Sequence, residues 1–216
     1  MDKAQHDAGS CRRENADGPR VLAQAGSKRG IALLTFSSDL VFDGRKEAPY
    51  VESDRVAPVS VYGTTKAEAE ALVLAALPSA LVVRTGAFFG PWDERNFLAH
   101  ALRALERGVT FRAADDVVVS PTYLPDLRNA ALDLLIDGER GIWHLASRGA
   151  TTWASLVTSA AAAAHVGAHS LIACPQEELA QAAPRPRYSV LGGERGPLLP
   201  PLTDALARYA QEREAA

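Results

Sequence analysis

Residues 36–70 read FSSDLVFDGRKEAPYVESDRVAPVSVYGTTKAEAE, and this stretch decides the fold. It holds the end of a strand, a pair of serines, a long loop and the start of a helix. Tyr62 and Lys66 are four residues apart near that helix start, so both side chains project from one face. A nearby cation favours the phenolate, so we expect Lys66 to lower the pKa of Tyr62 and fit it for proton transfer. Ser38, at the strand end, would hydrogen-bond the oxygen that receives the proton.

The pattern around this stretch predicts an α/β fold. Ile31–Phe36 and Ala80–Arg84 are short apolar runs, typical of strands buried on both faces of a parallel sheet. A loop at 43–58 and a helix from Ser60 to Leu77 connect them into a right-handed crossover. Two further expected elements are a helix at 3–28 with Val21, Leu22 and Ala25 as its apolar stripe, and a third strand at Gly141–Ala146.

Composition excludes several classes of protein. The chain has 216 residues and a net charge of −3, so it has no basic surplus to hold nucleic acid. No apolar run approaches the length of a membrane span, and the first residues lack a signal-peptide core. Cys11 and Cys174 are isolated, which suits a cytoplasmic location and excludes a disulfide framework. We expect no metal site, because no carboxylate or cysteine joins the His165 and His169 pair.

Four segments carry a resemblance to a known family. They are SSDLVFDG at 37–44, PYVESD at 49–54, VYGTTKAEAE at 61–70 and SPTYLPDL at 120–127. Together they resemble the extended branch of the short-chain dehydrogenase/reductase superfamily, and within it the dTDP-4-dehydrorhamnose reductase-like family of sugar-nucleotide reductases. Tyr-x-x-x-Lys alone is a weak signal, but its distance from SSDLVFDG makes it specific.

The resemblance implies reduction of a 4-keto sugar nucleotide with NADPH or NADH. It assigns Ser38, Tyr62 and Lys66 to catalysis, and assigns the same residues together with Ser37 to the cofactor. It also implies that the chain forms a homodimer through the helices at 3–28 and 60–77.

Substrate binding is implied at two further segments. Asn96 and Phe97 match the Asn-Phe of the family, and Arg185 lies in an Arg-Pro-x-x-Ser match, where it would pair with a diphosphate. Leu40 and Ala87 replace two aromatic residues of the family, which leaves a different sugar or a non-sugar ligand open.

The expected architecture is a partial Rossmann-type parallel sheet with a smaller α/β substrate-binding lobe. We assign residues 1–90 to the nucleotide domain and 91–216 mainly to the lobe, with 121–148 returning to the main sheet. The chain contains no GxxGxxG phosphate loop, and the first half of the sheet is missing. Either the chain is a fragment of a longer polypeptide, or a partner supplies that half, or the protein no longer binds a dinucleotide. The rival function is that of a non-catalytic binding or regulatory subunit.

Overall fold

The computed structural model describes residues 1–214 as an alternation of helices and short strands. The helices are α1 (Asp2–His6), α2 (Ala8–Arg12), α3 (Gly18–Arg29), α4 (Val61–Ala76), α5 (Phe97–Glu106), α6 (Leu124–Ile136), α7 (Trp153–Ala163) and α8 (Leu202–Glu214). The strands are β1 (Leu34–Ser38), β2 (Leu81–Thr85), β3 (Phe88–Phe89), β4 (Phe111–Ala114), β5 (Val118–Val119), β6 (Thr122–Tyr123), β7 (Gly141–His144), β8 (Thr151–Thr152) and β9 (Leu171–Cys174).

The main sheet is parallel, with strand order β1-β2-β7. The expected α/β class is therefore confirmed, and the third strand returns to this sheet as predicted. β1 lies at one edge, and within residues 1–214 no strand pairs with its outer side.

Helices pack on both faces of the sheet, because successive side chains of β2 point to opposite faces. Leu81 and Val83 face α6, whereas Val82 faces α3 and α4. All three are fully buried, which explains why the sequence of this strand is a continuous apolar run. The sheet is thus the middle layer of a three-layer core, with α3 and α4 on one face and α6 on the other.

A second core belongs to the smaller lobe. α5, α7 and α8 bury Leu102, Leu156 and Leu206 around the parallel pair β4-β9. Two further short pairs are the antiparallel β5-β8 and the parallel β3-β6. The boundary near residue 90 stays a prediction.

The N-terminal helix differs from the single helix expected at 3–28. It breaks at Asp7, whose side chain accepts a hydrogen bond from Ser10 N and so starts α2. A π-helical turn at Arg13–Asp17 then joins α2 to α3. The expected stripe of Val21, Leu22 and Ala25 is wrong as a core face, because these residues face solvent.

Small residues form the buried face of this helical run instead. Ala16, Ala23 and Gly26 are buried, and a Cβ on Gly26 would lie 3.0 Å from the carbonyl oxygen of Ile31. The close approach of the backbone therefore requires the smallest side chains on the inner face.

The first strand begins later than expected. Helix α3 ends at Arg29, and its C-cap Gly30 has φ +65°. Ile31 N still bonds to Gly26 O, so residues 31–33 form the connection. The strand spans Leu34–Ser38 rather than Ile31–Phe36. The shift carries both serines onto the strand itself.

The polar row across the sheet centres on a buried ion pair. Ser37, Arg84 and His144 are in register on adjacent strands. Arg84 donates two hydrogen bonds to Glu70 of α4, at 2.8 and 2.7 Å, and both side chains are almost fully buried. Glu52 joins the row, because its carboxylate accepts a hydrogen bond from His144 N at 3.1 Å. The row ties α4 and the loop before it to the sheet.

The described residues contain neither a membrane-spanning helix nor a cluster of metal-binding side chains. Between residues 1 and 214, no helix is long and apolar enough to cross a bilayer. Over the same residues, no three His, Cys, Asp or Glu side chains cluster closely enough to hold a metal ion.

We predict that Glu70→Gln lowers the free energy of unfolding by about 3–5 kcal/mol, because Arg84 would then be a buried charge without a partner. Urea denaturation, monitored by circular dichroism, measures the free energy of unfolding. Glu68→Gln is the matched control, two residues away on the same helix. Its carboxylate pairs with Arg12 at the surface, and such pairs contribute roughly 0–1 kcal/mol. Equal losses in the two variants would contradict the assigned role of the buried pair.

Candidate active site

The candidate site lies where the carboxyl end of β1 meets the start of α4. Ser60 caps α4 by accepting a hydrogen bond from Gly63 N at 3.1 Å. A Cβ on Gly63 would lie 2.1 Å from the carbonyl oxygen of Leu40, so the first turn of α4 packs directly on the turn that follows β1. This close packing places Tyr62 beside Ser38.

Lys66 is held by the strand rather than by the tyrosine. Its Nζ donates a hydrogen bond to the carbonyl oxygen of Phe36 at 2.6 Å. Burial lowers the pKa of Lys66, and the neighbouring Glu70 and Cys11 oppose that change. The ammonium group of Lys66 therefore lies against the backbone of β1, and Lys66 is one helical turn from Tyr62.

Tyr62 is partly buried, and its pKa lies above the ordinary value. Burial is the main cause, the charge of Asp39 adds to it, and the neighbouring Ser38 side chain offsets part of the rise. The expectation that Lys66 would lower the pKa of Tyr62 is therefore wrong for this structure. The physical reason is that Lys66 points to the carbonyl group of Phe36, whereas the phenol is desolvated and faces a carboxylate.

Ser38 donates its hydroxyl proton to Asp39 Oδ1 at 3.0 Å and accepts a hydrogen bond from Leu40 N at 3.2 Å. Its predicted role as donor to a substrate oxygen would require the hydroxyl to turn. Burial raises the pKa of Asp39, and hydrogen bonds from Ser189 and Ser38 oppose that rise.

Ser37, predicted to bind the cofactor, points to a different part of the molecule. Its hydroxyl donates a hydrogen bond to Glu70 at 2.5 Å, as part of the polar row described above. Neighbouring strand residues face opposite sides of a sheet, so Ser37 and Ser38 serve different networks. The cofactor assignment for Ser37 stays a prediction.

The predicted substrate residues all have internal partners. Asn96 caps α5 through Ala99 N at 2.9 Å and donates to the carbonyl of Gly90 at 3.2 Å. Phe97 packs edge-to-face on Phe111 and Trp153 in the core of the lobe.

Arg185 forms an ion pair with Asp2 at 3.4 Å and donates to the carbonyl oxygen of Ala183 at 3.1 Å. Among the hydrogen bonds and ion pairs of residues 1–214, none joins Asn96, Phe97 or Arg185 to Ser38, Tyr62 or Lys66. Their substrate roles stay predictions.

Two contacts of the site were not foreseen from the sequence. Ser189 donates a hydrogen bond to Asp39 Oδ2 at 2.7 Å across 150 residues of chain, and Gly86 packs against the same carboxyl group. The serine was visible in the Arg-Pro-x-x-Ser match, but nothing in its spacing indicated its partner.

The parallel sheet, the crossover helix and the Ser–Tyr–Lys group define an α/β protein of the extended short-chain dehydrogenase/reductase type. A family model described as the RmlD substrate binding domain matches residues 1–198, and the chain belongs to that family.

Its relatives and structural neighbours bear related names. The chain is 34% identical over 197 residues to a dTDP-4-dehydrorhamnose reductase of Mycolicibacterium smegmatis, covering 90% of this chain and 60% of the relative. It is 37% identical over 203 residues to a dTDP-4-dehydrorhamnose reductase of Streptomyces griseus, covering 90% and 66%. The chain spans between 54% and 66% of the length of four curated relatives that it matches.

Solved structures agree with this membership. A dTDP-4-dehydrorhamnose reductase from Clostridium acetobutylicum superposes with a TM-score of 0.92 at 29% identity, covering 98% of this chain and 76% of that one. The enzyme from Bacillus anthracis, solved in complex with NADP, superposes with a TM-score of 0.93 at 27% identity and the same coverage.

Proposed function

We propose that this chain is the catalytic part of an NADPH- or NADH-dependent reductase that acts on the ketone of a 4-keto sugar nucleotide. The observation that carries the proposal is the meeting of Ser38, Tyr62 and Lys66 at the carboxyl end of β1. Membership in the RmlD substrate binding domain family and the names of the relatives support the substrate class.

Each residue has a distinct part in the proposed reaction. Tyr62, which keeps its proton at neutral pH, donates it to the ketone oxygen as that oxygen becomes negative. Ser38, whose side chain offsets part of the rise in the pKa of Tyr62, orients the ketone oxygen. Lys66, anchored to the strand, supplies a cation for the ribose hydroxyl groups of a cofactor.

The residues present fit one end of a nicotinamide cofactor. A hydroxyl, a phenol and an ammonium lie together at the carboxyl ends of parallel strands, where ligands of such sheets bind. When bound there, NADPH or NADH would supply a hydride to the ketone carbon. The sequence contains no glycine-rich loop for the pyrophosphate, so this chain offers little to the other end.

An open apolar surface beside β1 fits a covering segment of the relatives' kind. A groove of about 520 Å³ lies between Leu34 and Phe36 of β1 and Leu132 of α6. Trp92 borders it and is 66% exposed. A buried parallel strand needs a neighbour and a covering helix, so a strand-and-helix unit from a longer polypeptide or a second chain would complete this edge.

A non-catalytic binding or regulatory subunit is the second candidate. The internal hydrogen bond of Ser37 to Glu70 favours it, since Ser37 is then not free to bind a cofactor as expected. In that case the groove would still dock a partner, but no ketone would be reduced. Cys11 and Cys174 are free thiols, consistent with the cytoplasmic location that we propose for either function.

We predict that Tyr62→Phe abolishes ketone reduction, because the lost hydroxyl is the proposed acid and such catalysis contributes about 10²–10⁴-fold. The assay follows NADPH oxidation with a 4-keto sugar nucleotide. It uses the chain joined to the N-terminal segment of the Streptomyces griseus relative. Tyr209→Phe, in the core of the lobe, is the matched control and should retain activity. Turnover of the Tyr62 variant within about threefold of the parent would remove Tyr62 from the chemistry.

We predict that the 216-residue chain alone binds NADPH weakly, with any affinity coming from the nicotinamide and its ribose. Calorimetric titration of the chain, with and without the joined N-terminal segment, measures the difference. Micromolar binding by the chain alone would contradict our account of the missing phosphate loop. Failure of the extended chain to bind would favour the regulatory candidate.

We predict a homodimer through α3 and α4. Val21 and Leu22 are 54% and 61% exposed on α3, and the exposed Ala25 lies one turn further along the same face. Light scattering at tens of micromolar should give a dimer mass. The double variant Val21→Lys with Leu22→Glu should be monomeric, whereas Val109→Lys, at an exposed valine elsewhere, should leave the dimer intact. A monomer in the parent chain would exclude this interface.

A further inference from the structure

His144 is a buried histidine at the end of β7, and both nitrogens of its ring have partners. The residue is 6% exposed, and the proposed reaction does not use it. Nδ1 lies 2.8 Å from the carbonyl oxygen of Gly192 and 3.1 Å from that of Tyr50. Nε2 lies 3.3 Å from Nη1 of Arg84. The ring therefore joins two distant segments of the chain to the central strand of the sheet.

These partners determine which nitrogen of His144 carries the proton. Carbonyl oxygens only accept hydrogen bonds, so Nδ1 must donate. A guanidinium group only donates, so Nε2 must accept and carries no proton. Only the neutral ring with its proton on Nδ1 satisfies both sides. A second proton, on Nε2, would point at the guanidinium group of Arg84.

Arg84 is too firmly held to move away from a charged ring. It is 2% exposed, and it donates two hydrogen bonds to Glu70, at 2.8 and 2.7 Å. A third hydrogen bond goes to the carbonyl oxygen of Glu52 at 3.3 Å. Moving Arg84 would leave the carboxylate of Glu70 buried without a partner, which is strongly unfavourable. Protonation therefore displaces the His144 ring, and its bond to the carbonyl oxygen of Gly192 is lost.

The segment that loses this bond is a strap, which we define as residues 187–193. At the first end of the strap, Val118 N donates to the carbonyl oxygen of Arg187 at 2.8 Å. At the second end, Gly192 N donates to the carbonyl oxygen of Tyr50 at 2.7 Å. The imidazole bonds to the same two residues of the second end, Gly192 and Tyr50, so its displacement loosens that end.

We propose that His144 is a positioning residue, whose neutral ring holds the second end of the strap to Arg84 and releases it when the ring is protonated. The strap also carries Ser189, which bonds to Asp39 beside Ser38, so its closure shapes the proposed site. The part of the strap in substrate binding rests on the proposed function. The hold on the strap does not, because it depends only on residues of this chain.

The charges around His144 agree with a neutral ring. Burial lowers the pKa of His144, the cation of Arg84 lowers it further, and Glu52 opposes the change. A lowered pKa favours closure above the ordinary histidine pKa of about 6.5, and this contribution is lost as the pH falls from there through the lowered pKa. The charged residues of the surrounding elements are Lys46, Glu52, Asp54, Glu70, Arg84 and Glu194.

The two carboxylates that act on His144 keep their charge over this range of pH. The hydrogen bond from Lys46 is the main cause that lowers the pKa of Asp54. Burial acts to raise the pKa of Glu52, but hydrogen bonds from backbone N–H groups, that of Glu194 first, outweigh burial and lower it. The titrating group between about pH 7.5 and about pH 5 is therefore the imidazole.

The first test locates the proton on His144. In ¹⁵N-labelled chain, two-bond ¹H–¹⁵N correlation spectra distinguish the two neutral forms of each imidazole. At about pH 7.5 we expect the proton of His144 on Nδ1, because the partner of each nitrogen sets the form. His144→Asn assigns the signals, and the exposed His100 is the internal comparison. A proton on Nε2 of His144 would overturn the proposal.

Amide hydrogen exchange tests the release of the strap. The Gly192 amide reports the second end, and the Val118 amide, bonded to the first end, is the matched control. We expect protection of Gly192 relative to Val118 to fall about tenfold between about pH 7.5 and about pH 5, since a free imidazole gains its proton in this range. The ratio removes the common effect of pH on exchange. A constant ratio would contradict release.

Two variants show whether His144 is the sensor. His144→Asn keeps an N–H donor for the carbonyl oxygen of Gly192 but does not titrate, so the ratio should be the same at both pH values. His144→Ala has no donor and should give the low ratio at both. Equal pH dependence in the parent and in His144→Asn would assign the effect to another group and defeat the proposal. If the variants do not fold, as judged by circular dichroism, the two measurements on the parent chain still decide.

An activity measurement separates this proposal from the proposed function. It uses the chain joined to the N-terminal segment of the Streptomyces griseus relative. Between about pH 7.5 and about pH 6, the KM of the parent for a 4-keto sugar nucleotide should rise relative to that of His144→Asn, with less change in kcat. A constant KM ratio would remove strap closure from substrate binding. Absence of turnover in the parent would count against the proposed function, and the spectra and exchange ratios would still decide the role of His144.

Discussion

The buried ion pair between Arg84 and Glu70 is the constraint on which the rest of the site depends. Arg84 stands in the middle of the three-stranded sheet, and Glu70 stands on the helix that carries Tyr62 and Lys66. A charge buried in a parallel sheet must be paired, so α4 cannot slide along or rotate on the sheet without leaving Arg84 uncompensated. Buried pairs of this kind add little net stability compared with an apolar core, but this pair sets the register of α4 on the sheet.

The balance at Tyr62 shows which of two electrostatic effects is larger. A lysine one turn away suggests a lowered pKa, yet burial and the charge of Asp39 raise it. Proximity along a helix does not fix where a long, flexible side chain puts its charge, and Lys66 bonds to a backbone carbonyl group instead. A raised pKa suits a proton donor, because a donor must keep its proton until the substrate oxygen becomes basic.

Local patterns made the fold and the shared helix of Tyr62 and Lys66 predictable. Apolar runs indicated β2 and β7, and the four-residue spacing placed Tyr62 and Lys66 on one helix face. Contacts between distant segments were not predictable: Ser189 reaches Asp39 across 150 residues, and no periodicity records such a meeting. The apolar stripe of α3 was wrong for a related reason, since the inner face needed small residues for close backbone packing, which a hydrophobicity pattern cannot distinguish.

The placement of the proposed site separates the groups that we propose to react from the unit that would hold the pyrophosphate of a cofactor. Ser38, Tyr62 and Lys66 belong to one strand and the helix that follows it, so a single crossover unit positions them. Pyrophosphate binding needs a different unit, a glycine-rich turn leading into a helix N-terminus. The group of Ser38, Tyr62 and Lys66 and a pyrophosphate-binding unit would adjoin along the outer side of β1. The paired strand and covering helix of a complete sheet would lie there. The open edge and the apolar groove are therefore features of one surface, and we propose that a segment covering the groove would also complete the cofactor site.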